Sequence, residues 1–158
     1  MRAVMFRLLG LILCMASISA FAAGNPYMVT YTSKESFENV KSAITDAITG
    51  QGLVINNTSH IGEMLARTGK DLGDGKRVFL NAESYEFCSA TVSRKTMEAD
   101  PHNIVFCPYI ISVYVLPNEP KKTYVSFRKP EVVGSPASKA ALKDVEKLLR
   151  SIIKDALQ

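Results

Sequence analysis

The residues with the most chemistry in them are gathered in one stretch, "YEFCSATVSRKTMEADPHNIVFCPY", from Tyr85 to Tyr109. It holds Cys88 and Cys107, separated by 107 − 88 = 19 positions, with Met97 and His102 between them. Two thiols at that spacing can close a disulfide, hold a soft metal together with an imidazole or thioether, or react as a pair. The sequence leaves these three options open. It does exclude others. There is no Cys-x-x-Cys redox pair, no His-Glu-x-x-His zinc site and no Gly-x-Ser-x-Gly nucleophile turn. "GKDLGDGKR" (Gly69–Arg77) invites a phosphate-loop reading, but its glycine spacing is wrong and Arg77 stands where a hydroxyl is required. It also lacks the carboxylate ladder of a calcium loop, so it reads as turns.

The remaining candidates are weaker. His60 and His102 can bind metal or carry protons, yet a lone loop histidine is ordinarily a polar surface residue. Met97 can serve as a soft ligand, yet on a short amphipathic helix a methionine usually fills the core. Tyr85, Tyr109, Tyr114 and Tyr124 can line a ligand surface on a sheet. The plainer account is that they are partly buried strand aromatics.

The compartment matters for any thiol. "MRAVMFR" carries Arg2 and Arg7 and no acid, the run "LLGLILCMASISA" is apolar, and Ala20 and Ala22 are small. That order is a secretory signal peptide, with cleavage expected after Ala22 and a periplasmic or secreted product. The apolar run is shorter than the ~20 residues of a membrane span, and no second one follows, so no span is expected after cleavage. Cys14 would leave with the signal. The mature chain, residues 23–158, has 158 − 22 = 136 residues, a single-domain length. Its charge is 19 − 2 = 17 basic against 15 acidic, or +2, which gives no electrostatic reason to expect nucleic acid.

The elements that must position these groups can be read from periodicity. "NPYMVTYTS" (Asn25–Ser33) alternates as a strand, and "TSKE" (Thr32–Glu35) fits a capping box. Phe37, Val40, Ile44, Ala47 and Ile48 follow at helical spacing, stopped by Gly50 and Gly52. "LVINNTSHI" and "RVFLNAESYEFC" read as strands, "GEMLARTGKDLGDGK" as a short helical turn with a glycine loop, and "SRKTMEADP" as a short helix ending before Pro101. "NIVFCPYIISVYVLP" predicts the longest strand, with "KTYVSFRKP" its hairpin partner across "NEPK". The last helix is capped by Ser135, with Pro136 first inside it, and Leu142, Val145, Leu149, Ile152 and Ala156 form its apolar stripe. Lys139, Lys143, Lys147 and Lys154 lie largely on its other side and read as a solvated face.

This order predicts an α+β two-layer sandwich: a mainly antiparallel sheet covered on one face by two main helices, with a further short helix. In the long strand Val105, Cys107, Tyr109, Ile111, Val113 and Val115 alternate with Ile104, Phe106, Ile110, Tyr114 and Leu116. Both faces are thus expected to be apolar and to want cover, the second from a ligand, the chain's own loops or a second copy in a homodimer.

The run from Tyr85 to Tyr114, followed by "KKTYVSFRKP" and an amphipathic terminal helix, resembles the bacterial family catalogued as domain of unknown function 302. The features that carry the resemblance are Phe87-Cys88, Asp100-Pro101 and Cys107-Pro108, and it extends over roughly residues 31–157. Many relatives place the proline before the cysteine, so the backbone around Pro108 departs from the pattern. The resemblance implies a two-layer α/β sandwich and a bacterial source, in which the sequons of "NNTS" (Asn56–Ser59) carry no glycan; it implies no activity. It also implies that the strands bearing Cys88 and Cys107 are neighbours, which would let the two join as a disulfide in an oxidising compartment. The expectation is a small non-enzymatic binding or interaction domain stapled by that bridge, taking an unknown ligand or protein on the less covered sheet face, with no cofactor. The alternative is a copper- or zinc-binding or thiol-redox protein using Cys88 and Cys107 with His102 or Met97.

Overall fold

The computed structural model describes residues 25–158; the signal-peptide reading of residues 1–22, with Cys14, lies outside the described residues. In chain order come β1 (Met28–Ser33), α1 (Phe37–Gly50), β2 (Val54–Ser59), α2 (Ile61–Asp71), β3 (Asn81–Cys88), α3 (Ala90–Ala99), a 3-10 helix (Pro101–Phe106), β4 (Tyr109–Val115), β5 (Thr123–Arg128) and α4 (Pro136–Ala156). The strands form one sheet in the order β1-β5-β4-β3-β2, with every neighbouring pair antiparallel.

The two main helices form where the apolar period demands. In α1 the buried residues are Phe37, Val40, Ile44 and Ile48, spaced by three or four. Its cap is Ser36, whose hydroxyl accepts the Asn39 N–H at 3.2 Å, rather than Thr32. Thr32 and Ser33 are instead drawn into β1, where they face Tyr124 and Thr123 of β5. Gly52, at φ 72°, reverses the chain after α1. In α4 the Ser135 hydroxyl accepts the Ser138 N–H at 3.1 Å, and Pro136 occupies the first turn. Leu142, Val145, Leu149, Ile152 and Ile153 are buried along it.

Both helices lie on one face of the sheet. Their stripes pack with Tyr85, Phe87, Tyr109, Ile111, Val113, Val125 and Phe127 into a single core. Each such side chain gains roughly 1.5–3 kcal/mol from leaving water. A buried polar knot joins α3, the 3-10 helix and α4: Asn103 Nδ2 donates to the Thr96 carbonyl at 3.0 Å and to Ser138 Oγ at 2.8 Å. This satisfies groups that would otherwise be costly to bury.

Three local expectations need correction. The segment after β2 is an 11-residue helix, α2, that runs through Gly69. It approaches β3 closely at Gly62, where a Cβ would lie 2.8 Å from the Ala82 backbone nitrogen. The strand expected from Asn103 begins only at Tyr109, because Pro101–Phe106 coils into the 3-10 helix, with Asp100 Oδ1 accepting the His102 N–H at 2.9 Å. Ile104 and Val105 are therefore exposed loop-end residues, at 60% and 70%, and belong to neither sheet face.

The third correction concerns the second face. In β4 it consists of Ile110, Ser112 and Tyr114, and its centre is polar. Register aligns Thr30, Ser126, Ser112, Ser84 and Ser59 in one row across all five strands. Thr30 and Ser126 are hydrogen-bonded at 3.0 Å, and Ser84 and Ser112 at 2.7 Å. Among the described residues the sheet has no continuous apolar second face, the premise for a covering partner.

Candidate functional site

The antiparallel pairing of β3 with β4 brings Phe87 opposite Tyr109. One step further along each chain this places Cys88, the last residue of β3, beside the Cys107-Pro108 entry to β4. Cys88 Sγ and Cys107 Sγ stand 2.8 Å apart as two thiols, each half-buried. That separation exceeds the ~2.03–2.05 Å of a disulfide, and the bridge is not formed here. Ser93, on the first turn of α3, brings its Oγ to 3.7 Å from Cys107 Sγ and to 3.1 Å from the Tyr109 hydroxyl. The site is thus a line of four polarisable or protic groups: thiol, thiol, hydroxyl and phenol. The Ser89 hydroxyl caps α3 by accepting the Val92 N–H at 3.4 Å, which fixes where Ser93 points.

Electrostatics favours the protonated forms. Burial pushes the Cys88 thiol up to about 11, reinforced by its hydrogen bond to the Cys107 thiol and by repulsion between the two sulfurs once charged. Burial also raises the Tyr109 phenol, while its hydrogen bond with Ser93 works the other way. A thiol held protonated is a slow nucleophile near neutrality. In this Cys88 differs from the low-pKa cysteines of thiol-disulfide catalysts.

The other sequence candidates scatter. Among the described residues no three His, Cys, Asp or Glu side chains converge to hold an ion, so His102 does not join the sulfurs. It is exposed on the 3-10 helix, and Met97 is half-buried on α3. The four tyrosines divide between the faces. Tyr85 and Tyr109, at 2% and 4% exposure, lie in the core under the helices. The strand alternation turns both inward, away from the open sheet face; of the two, Tyr109 touches a surface groove, beside Pro108 and Leu149. Tyr114 and Tyr124 lie on the other face, stacked with centroids 5.2 Å apart, with Phe79 edge-on to Tyr114. The Tyr114 hydroxyl reaches Ser126 Oγ at 3.2 Å, joining the tyrosines to the hydroxyl row.

His60 has a different setting. Its Nδ1 lies 3.4 Å from Glu83 Oε1, which also faces Lys41 Nζ at 3.5 Å, while the Tyr85 hydroxyl donates to Glu83 Oε2 at 2.8 Å. Burial, then that bond, pushes the Tyr85 phenol far up. Sequence reasoning missed Glu83, Ser93 and the hydroxyl row. Each is an ordinary polar residue in its own segment, and only the register places them together. The one available signal was a serine or threonine in every strand, near the middle in β1, β3, β4 and β5 and at the end in β2.

A two-layer α+β domain with an adjacent cysteine pair at one end of its sheet is the class of protein that fold and site define. The chain belongs to the family described as domain of unknown function DUF302, whose model matches residues 29–157. It is similar to a solved structure, that of an uncharacterized conserved protein DUF302 from Bacillus stearothermophilus, at 18% identity and a TM-score of 0.68. The match covers 84% of this chain and 99% of that one; at such identity the likeness speaks for the fold. No curated protein matches the chain. No helix among the described residues is long and apolar enough to cross a membrane.

Proposed function

We propose that the chain is a non-enzymatic binding domain of an extracytoplasmic compartment, stapled by a Cys88–Cys107 disulfide, that takes its ligand on the sheet face away from α1 and α4. The observation that carries this reading is that face itself. It presents a row of hydroxyls beside a stacked tyrosine pair, Tyr114 and Tyr124, and neither main helix covers it. Hydroxyls and aromatic rings together suit a ligand with both polar and apolar parts.

The staple is supported by the closeness of the two sulfurs and by an N-terminal segment with the order of a secretory signal. Oxidation would remove two protons and two electrons, which an oxidising compartment accepts through its disulfide-exchange partners. The soft-metal alternative has two sulfurs in place but no third His, Cys, Asp or Glu converging with them among the described residues.

Native mass spectrometry of the chain purified from its natural compartment tests the reading. A mass two hydrogens below the reduced chain and a bound species lost on Tyr114→Ala with Tyr124→Ala are expected. Two free thiols would overturn the staple. A bound species that survives the double substitution would move the ligand off this face.

A further inference from the structure

The end of the sheet near the cysteines carries a groove that the preceding reading does not use. Its inner part, about 320 Å³, is walled by Phe106, Pro108, Tyr109, Ile110, Pro130 and Leu149, and its one charged lining residue is Arg128. Phe106, Arg128 and Pro130 are shared with an adjoining outer part of about 540 Å³ that runs past Tyr27, Val105 and Val132. Both volumes fall in the range of small-molecule sites.

Three observations point to an occupant. First, the groove gathers exposed apolar side chains: Tyr27 is 73% exposed, Val105 70%, Ile110 42% and Val132 37%. Those four are among only ten large hydrophobics so exposed in the described residues, so the patch is localised rather than a general property of the surface. Second, prolines 26, 108 and 130 line it. Their fixed φ makes the walls rigid and reduces the ordering cost of binding.

Third, the charges do not cancel. Glu146 is held by Arg150 at 2.7 Å, whereas Arg128, Lys129 and Glu131 form no ion pair among the described residues. Two cations against one free carboxylate leave the groove one positive charge in excess. The inner, most apolar part contains only the arginine. A monoanion balances that charge, while a dianionic phosphate monoester would face Glu131 with charge to spare. A guanidinium also matches the two oxygens of a carboxylate in its fork geometry.

We infer that this groove binds an amphiphilic carboxylate of the fatty-acid class, its chain along Phe106, Ile110 and Val105 and its head group on Arg128. The inference goes beyond the binding-domain reading: Ile110 and Arg128 stand at the margin of the same sheet face, but neither Tyr114 nor Tyr124 lines the groove, which is a second site with its own class of ligand.

Calorimetric titration of the whole mature chain with decanoate and with decan-1-ol tests it. Decanoate should bind more tightly than the alcohol. Arg128→Gln should weaken decanoate by roughly tenfold or more and leave the alcohol unchanged. Arg128→Lys should recover part of the loss, and Val105→Asp should weaken both ligands. Arg128 is exposed, so its substitution leaves the core intact, and circular dichroism checks that. Equal affinity for acid and alcohol, no effect of Arg128→Gln, or a decanoate Kd weaker than ~1 mM would each overturn the inference. Those outcomes leave the reading of the tyrosine face standing, because that reading is tested separately, by the species lost on Tyr114→Ala with Tyr124→Ala.

Discussion

The two faces of the sheet are made by the same five strands and obey opposite rules. The helix-covered face is dominated by apolar side chains: Ile111, Val113 and Val125 are fully buried, and the acid among them, Glu83, is held by Lys41 and the Tyr85 hydroxyl. On the other face the central row is Thr30, Ser126, Ser112, Ser84 and Ser59. The covered face derives its stability from dehydration and close packing. The hydroxyl face can gain little that way, and its side chains satisfy one another across the strands instead. A sheet can therefore hold its fold with one face and leave the other free for recognition.

The sharpest break of this comparison uses adjacent residues of β4. Ile111→Ala should cost about 2–5 kcal/mol in urea unfolding, the penalty of a core cavity. Ser112→Ala, one position along, should cost about 1 kcal/mol at most. Similar costs at the two sites would mean that the hydroxyl row is as structural as the core.

Next in size is the sulfur pair at the seam between the faces. The oxidised chain should be more stable than its reduced form by about 3 kcal/mol, as the chain-entropy account gives for a loop of this size. Comparing urea midpoints with and without reductant measures it. An unchanged midpoint, with oxidation verified by mass, would show that the segment from α3 through the 3-10 helix is already held by other contacts.

The smallest expected effect is a pH response confined to the reduced chain. The Cys88 thiol is pushed up from 9.0 to about 11, so the folded state binds its proton more tightly than the unfolded state. The resulting stability is fully present below pH 9.0 and is lost as pH rises toward about 11. Cys88→Ser should remove that part of the alkaline slope. The Cys88 alkylation rate should likewise still be rising at a pH where an ordinary thiol has levelled off; a plateau near 9 would contradict the burial argument.

How much of this was legible without coordinates differs between the faces. The covered face was readable because its pattern is local. The three-to-four spacing in α1 and α4 marks their buried stripes within each helix, and the β4–β5 hairpin announces itself across "NEPK". The hydroxyl face was not readable, because Thr30 meets Ser126 across 96 positions and Ser84 meets Ser112 across 28. Neither pair falls within the ~11–18 residues over which periodicity is read. The 3-10 helix was misread for another reason: Asn103-Ile104-Val105-Phe106 has strand-like side chains, but burial of Asn103 against Ser138 and Thr96 overrides that preference. The cap of α1 was displaced because Ser33 and Ser36 both follow Thr32, and pairing with β5 claims the earlier residues. The cysteines were singled out by type alone, and their adjacency required β3 and β4 to be neighbours.

The strand order also sets a timetable. Among the described residues β1 is the first strand in the chain, yet its only partner there is β5, the last. Until residue 128 has emerged, β1 has no ladder to join, and the helix that roofs the core beside α1 comes later still, at residues 136–156. Contacts this distant along the chain are slow to form and cannot be anticipated by a partial chain. In a nascent chain of this topology β2, β3 and β4 can pair as they appear, but β1 waits with no place in the sheet until β5 arrives beside β4.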